Sequence, residues 1–382
     1  LYNVGARDEQ PDKTGFAHLF EHLMFGGSVN IPDFDAPLQL AGAENNAWTN
    51  NDFTNYYEII PLDNIETAFW LESDRMLGLD FSQQSLDVQK NVVIEEFKQR
   101  VLNQPYGDVS KILREMAYKH HPYRWNTIGM DPSHIENATL EDVKNFFYKF
   151  YAPNNAVLSI VGNCTFDEAV RLSEKWFSPI PRRVIKPKNI PSEPTQTEAR
   201  FVEVERDVPS QAIYKVYHMF AKAHSEYVVC DLISDIFSNG LSSRLYQSLV
   251  QEQKLFTQID AYVGGDEDPG LFYIKGKPVK EISLEKADIA IQQQIDTLLY
   301  QPISDYELEK VKNKYEANQV FAETSYTNKA SKLAYYELVG RREELNSEVE
   351  KYRAVTAVDI KRVAEKLFHP NNGSTLFYRT LH

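Results

Sequence analysis

Thr139-Leu140-Glu141-Asp142-Val143-Lys144, running on to Tyr151-Ala152-Pro153-Asn154-Asn155, returns later as Thr356-Ala357-Val358-Asp359-Ile360-Lys361, running on to Phe368-His369-Pro370-Asn371-Asn372. The offset is 217 residues throughout. Each copy reads as a Thr N-cap, an amphipathic helix and a Pro-Asn-Asn turn before a strand. The strand is expected at 156–161 in the first copy and at 374–378 in the second. A chain of 382 residues carries a prior of two or three domains. The repeat decides for two homologous halves of about 200 residues each.

Between the halves, residues 177–194 hold five prolines among several charges, which is linker composition. The expected division is therefore 1–180, a linker at 181–199, and 200–382. Strand patterns at 57–60 and 212–217 alternate with helix patterns at 282–299 and 310–322. Strands mixed with long amphipathic helices in each half define an α+β class.

Only the first half holds His18-Leu19-Phe20-Glu21-His22. On an α-helix, positions i, i+3 and i+4 share a face, so two imidazoles and a carboxylate project to one side. Two histidines one turn apart can share a Zn2+ ion, and the Glu beside them can take a proton from water. This order is the inverzincin pattern. Thr14 is the expected N-cap of the helix and Gly26-Gly27 its stop. Phe16, Leu19, Phe20, Leu23, Met24 and Phe25 make the remainder apolar, as in a buried helix. Burying two histidines and a carboxylate there without a partner is costly, and a metal removes that cost.

Catalytic zinc takes a third protein ligand and keeps one position open. Residues 86–98 form a candidate helix, capped by Ser82 or Ser85, with Val88, Val92, Val93 and Phe97 in its apolar pattern. Its carboxylates Glu95 and Glu96 point about 100° apart, so only one faces inward with the valines. Residue types alone leave that choice open.

His18 to His22, followed by Asn91-Val92-Val93-Ile94-Glu95-Glu96, resembles the pitrilysin family of zinc metallopeptidases. That family includes insulin-degrading enzymes and mitochondrial processing peptidases. The resemblance implies one Zn2+ per chain on His18, His22 and Glu96, with Glu95 the fallback and Glu21 the general base. Many relatives carry an orienting Glu two turns before the ligand. Gln89 stands there in this chain, able to hydrogen-bond but uncharged.

Ala41-Gly42-Ala43-Glu44-Asn45-Asn46-Ala47-Trp48-Thr49 looks like the family's edge strand, to which a peptide substrate adds as a further strand. The resemblance makes Asn46 a holder of the scissile carbonyl and Ala47 a source of backbone pairing. Read from its residues alone, the stretch is a strand beginning at Ala47 after a Gly/Asn turn. The fold implied is two α/β roll domains facing each other across a peptide chamber.

The second half lacks the His-Glu motif and offers Ser238-Asn239-Gly240-Leu241-Ser242-Ser243-Arg244-Leu245-Tyr246. This resembles the family's Gly-rich turn, whose Arg reaches substrate together with a Tyr thirteen residues later. Arg244 is present, but position 257 is Thr, and Tyr262 is out of register. The resemblance thus implies a homodimer, or a heterodimer with a related subunit that supplies the Arg/Tyr pair. The function expected is a zinc endopeptidase for short or unfolded peptides. The alternative is a non-catalytic scaffold subunit of the same fold, against which all four zinc-site positions stand intact.

A net charge of −14 and the lack of a basic stripe speak against nucleic-acid binding. No run of 18 apolar residues marks a membrane span. Two cysteines, Cys164 and Cys230, give no disulfide framework. His120-His121-Pro122 reads as a loop with solvated imidazoles, and 264–270 as a hairpin turn. Residues 1–7 read as the middle of a strand, where family members have an earlier strand pair. The compartment is open: periplasmic or secreted if an upstream segment carries a signal, cytoplasmic otherwise.

Overall fold

The computed structural model describes residues 1–381, and the chain divides into two compact units that interleave along the sequence. The first comprises Leu1–Asn103, His121–Pro191 and Phe321–Leu345; the second comprises Gln104–His120, Ser192–Val320 and the residues from Asn346 onward. A division at 181–199 follows the duplication, whereas the compact units trade one helix each. Helix Val109–Ala117 belongs to the second unit and helix Tyr326–Leu338 to the first. Their starting positions differ by the same 217 that relates the repeats.

In the second unit, strands β3 (Arg200–Arg206), β4 (Ala212–His218), β5 (Phe256–Val263), β6 (Leu271–Pro278) and β7 (Gly373–Thr380) form one sheet in the order β3-β7-β4-β6-β5. Only β3 and β7 run parallel. The loop 264–270 joins β5 to β6 as a hairpin, closed by Val263 opposite Phe272. Helices Tyr227–Ser238, Leu284–Tyr300 and Ala357–Leu367 supply Ile233, Phe237, Ile291, Ile295, Val363 and Leu367 to this unit's core.

The first unit pairs β1 (Glu44–Thr49) with β2 (Thr54–Ile59) antiparallel, Ala47 opposite Tyr56. Tyr2 extends the pairing by single bridges to Thr54 and Ala156. The strand expected at 156–161 makes no ladder beyond Ala156, and of residues 1–7 only Tyr2 is in a strand-like bridge. A ladder needs a neighbour on each residue. In the second unit β7 has two, β3 and β4. The first unit also holds a cavity of about 420 Å³, lined by Tyr2, Tyr56, Glu58, Phe69, Met76 and Leu158 among others.

The repeat itself folds alike in both units. Helices Leu140–Phe150 and Ala357–Leu367 each begin with a capping box, Thr139 with Asp142 and Thr356 with Asp359. The second Asn of each Pro-Asn-Asn turn ties its helix to the sheet. Asn155 Nδ2 donates to the Phe150 and Asn3 carbonyls, and Asn372 Nδ2 to those of Leu367 and His218.

In the second unit, the Tyr352 hydroxyl donates to Asp231 at 2.6 Å. Burial pushes the Asp231 carboxyl up to about 6, and the nearby Asp235 charge adds to the rise. A carboxyl with a raised folded pKa binds more protons folded than unfolded, so its contribution to stability falls as pH rises from about 3.8 to 6. Asp231→Asn, which can still accept the Tyr352 bond, is expected to match the wild type at pH 3.5. At pH 8 it should be more stable by about 1–3 kcal/mol. Urea unfolding at the two pH values checks this, and a pH-independent difference would reject it.

Candidate metal centre

Helix Phe16–Leu23 packs against helix Gln83–Phe97 and against β1. Ser82 caps the second helix by accepting the Ser85 N–H. The first helix has no such local cap. Its N-cap is Gly15, held at φ +89° where a Cβ would stand 3.0 Å from the Ile128 carbonyl. Thr14, the expected cap, is turned away: its hydroxyl meets His134 Nδ1 and accepts the Met130 N–H, both at 2.8 Å.

Three side chains converge where the two helices meet. His18 and His22 bring their Nε2 atoms to 3.3 Å, and the Glu96 oxygens lie 3.7 and 3.5 Å from them respectively. Among the described residues this is the only group of three His, Cys, Asp or Glu side chains whose ligand atoms gather within 4.8 Å. His18 is buried, which drives its pKa down to about 3 with help from the neighbouring His22 and Arg100. A neutral His18 imidazole makes no ion pair with Glu96. Glu96 Oε2 is buried without a hydrogen bond, although the Arg100 guanidinium stands 3.1 Å away, and His18 Nδ1 is likewise unpartnered.

These features fit a zinc ion. Ligand atoms about 2.0–2.1 Å from a tetrahedral zinc stand roughly 3.3–3.4 Å apart, close to the spacings found here. Neutral imidazole with carboxylate is a usual donor set for that metal.

Glu21 projects beside this group, and its Oε2 accepts the Thr49 hydroxyl at 2.5 Å. Burial raises the Glu21 pKa, and the Thr49 bond opposes that rise. Glu95 faces solvent, paired to Lys98. Gln89 lies at the far end of the His-Glu helix, its Nε2 3.6 Å from where a Cβ on Gly26 would sit. Asn46 and Ala47 lie on β1, whose outer edge pairs with no other strand among the described residues. Asn46 Oδ1 accepts the Ala47 N–H at 2.8 Å. The cavity of about 420 Å³ is lined by none of these residues.

Arg244 belongs to the second unit, where Glu307 binds its guanidinium through two hydrogen bonds of 2.7 Å. Thr257 donates to the Lys277 carbonyl. His121 corrects an expectation: it is buried, its Nδ1 accepting the Tyr123 N–H at the start of a short 3-10 turn. Cys164 and Cys230 are free thiols. Thr49 joins the site through a partner 28 positions away, Glu21, and the spacing of Gly42, Asn46, Ala47 and Thr49 is the sequence feature that carries it.

A duplicated α+β fold with an inverzincin helix in one copy is the architecture of a metallopeptidase-type chain. Residues 2–131 match the family described as Insulinase (Peptidase family M16), and residues 137–315 match the Peptidase M16 inactive domain. The zinc protease PqqE of Helicobacter pylori is 30% identical over 99% of this chain and 86% of its own length. A protease from Helicobacter pylori of known crystal structure superposes with a TM-score of 0.92 at 28% identity, over 99% of this chain and 92% of that one. The peptidase M16 inactive domain from Pseudomonas fluorescens shares the fold, with a TM-score of 0.87 at 18% identity, over 99% of this chain and 91% of that one. The chain belongs to peptidase family M16, the insulinase or pitrilysin-like family. No helix of the described residues is long and apolar enough to cross a membrane.

Proposed function

We propose that the chain is a zinc endopeptidase for short or unfolded peptides bound as an added strand along β1. The observation that carries this reading is the convergence of His18, His22 and Glu96, whose ligand atoms lie within 4.8 Å of one another, beside a Glu21 held by Thr49. His18, His22 and Glu96 hold the metal. Zinc bound there supplies a Lewis acid that polarises a carbonyl and acidifies water. Glu21 Oε1 takes the proton from the attacking water and later delivers it to the leaving amine. A raised pKa suits both halves of that task. The free edge of β1 pairs with substrate backbone, Ala47 contributing main-chain bonds and Asn46 the amide that holds the scissile carbonyl. Gln89, which comes near Gly26 just beyond the end of this helix, is the residue that helps orient the ligands in this reading.

Confinement of the peptide in a chamber belongs to the same proposal, by likeness to the family. Arg244 can assist only after leaving Glu307, and Thr257 offers no phenol. A partner subunit bearing an Arg/Tyr pair therefore completes the site in this reading. A scaffold role is favoured by one observation, the match of 137–315 to an inactive domain, but that segment begins after Glu96. The chain purified without chelator is expected to retain about one zinc per chain and to cleave an unstructured fluorogenic peptide once mixed with a related Arg/Tyr-bearing subunit. Chelation should stop cleavage and zinc should restore it. A chain that retains no zinc would support the scaffold, and full activity as a proven monomer would remove the partner.

A further inference from the structure

Glu9 is a buried carboxylate that the mechanism above leaves unused. Its two oxygens accept backbone N–H groups from the first turn of the His-Glu helix, Oε2 from Gly15 at 2.9 Å and Oε1 from Ala17 at 2.8 Å. Burial pushes its pKa well up, and these two bonds pull against that rise. The charged form is thus costly to hide and is held by the helix N-terminus, where the aligned backbone dipoles favour an anion. Position 15 itself cannot carry a capping side chain, because its φ of +89° and the nearby Ile128 carbonyl admit only Gly, and the neighbouring Thr14 is committed elsewhere.

What a distant cap adds is a mechanical link. Glu9 ends a short turn, Ala6–Asp8, whose Ala6 and Arg7 N–H groups donate to the carbonyls of Asn50 and Asn51 at 3.1 and 2.8 Å. Asn50 and Asn51 follow Thr49 in the turn between β1 and β2. The same four-residue segment, Ala6 to Glu9, therefore grips the helix that carries His18, Glu21 and His22 and the hairpin whose Thr49 holds Glu21. Ala17, one of the two gripped residues, immediately precedes His18.

We infer that Glu9 is a positioning residue for the metal cluster, fixing the height and rotation of the His-Glu helix relative to β1 and so the spacing of His18 and His22 against Glu96. This rests on the zinc-peptidase reading. A Gln at position 9 offers one acceptor and turns an NH2 group toward the other backbone N–H. A shifted ligand helix lowers metal affinity as loss of an outer-shell partner does, by about 10–100-fold.

The test measures zinc affinity by competition with a chelating dye for the wild type, Glu9→Gln and Thr139→Ala. The last removes the cap of a helix whose cap touches no cluster residue. Amide hydrogen exchange over 15–23 is followed in the metal-free proteins. Glu9→Gln is expected to bind zinc about 10–100-fold more weakly and to exchange Gly15 and Ala17 faster, with Thr139→Ala unchanged in both. Wild-type zinc affinity in Glu9→Gln overturns the inference, whatever its exchange rates, as does an equal loss in Thr139→Ala. Should Glu9→Gln not fold, Glu9→Asp carries the comparison, keeping the charge but shortening the reach. A wild-type chain without zinc affinity instead overturns the peptidase reading underneath, and the inference falls with it.

Discussion

Glu21→Gln is expected to leave the zinc content at the wild-type level and to lower peptide cleavage by about 100- to 10,000-fold, the range that a positioned general acid–base supplies. Two structural facts make the variant a clean probe. Glu21 is outside the converged group of His18, His22 and Glu96, so the donor set survives the change. Its Oε2 accepts the Thr49 hydroxyl, and an amide oxygen can accept the same bond, so the side chain keeps its place. What the amide loses is the capacity to carry a proton from water to the leaving amine. Metal analysis by mass spectrometry and turnover of an unstructured peptide read the two effects separately. Undiminished turnover would remove Glu21 from the base role, while loss of zinc together with activity would show that Glu21 supports the site structurally.

Arg75→Met is expected to cost the first unit about 3–5 kcal/mol of stability, the usual result of removing one partner from a buried charged group. Arg75 is 1% exposed. It forms a two-pronged pair with Glu72, and its guanidinium carbon lies 4.3 Å from the Phe34 ring centre and 4.4 Å from that of Tyr56. A methionine fills much of the volume but strands the Glu72 carboxylate. Burial, with the Glu72 charge close by, already drives the Glu58 carboxyl well up, so the cation's loss leaves two acids facing each other. Arg75→Lys should recover only part of the loss, because an ammonium neither forks onto a carboxylate nor stacks flat on a ring. The double change Arg75→Met with Glu72→Gln should cost less than the sum of the two singles. Urea midpoints at pH 7 measure all of these. A single-mutant cost below about 1 kcal/mol would mean that water reaches the pair.

The features legible in the sequence were those written in short-range code. The Thr139/Asp142 and Thr356/Asp359 caps, the Ser82 cap and the β5–β6 hairpin each depend on residues within a few positions of one another. The shared face of His18 and His22 is of the same kind, a consequence of helical pitch. That Glu96 rather than Glu95 turns toward them needed the pitrilysin-family resemblance, because helix geometry allows either. Contacts across space were not legible. Glu9 replaced Thr14 as the helix cap because Thr14 found His134, 120 residues away. Residues 156–161 have strand composition, yet composition does not supply the neighbours that a ladder needs. His121 looked like a loop histidine and is buried because its ring caps a turn beside Tyr123. The helix trade between the units was hidden for another reason. A repeat offset records which segments are alike, not which copy's core each one joins.

That trade, Val109–Ala117 assigned to one unit and Tyr326–Leu338 to the other, bears on how the chain can be divided. A cut anywhere between Ala117 and Tyr326 leaves Val109–Ala117 on the N-terminal fragment and Tyr326–Leu338 on the C-terminal one. Neither fragment then carries every segment of its own compact unit.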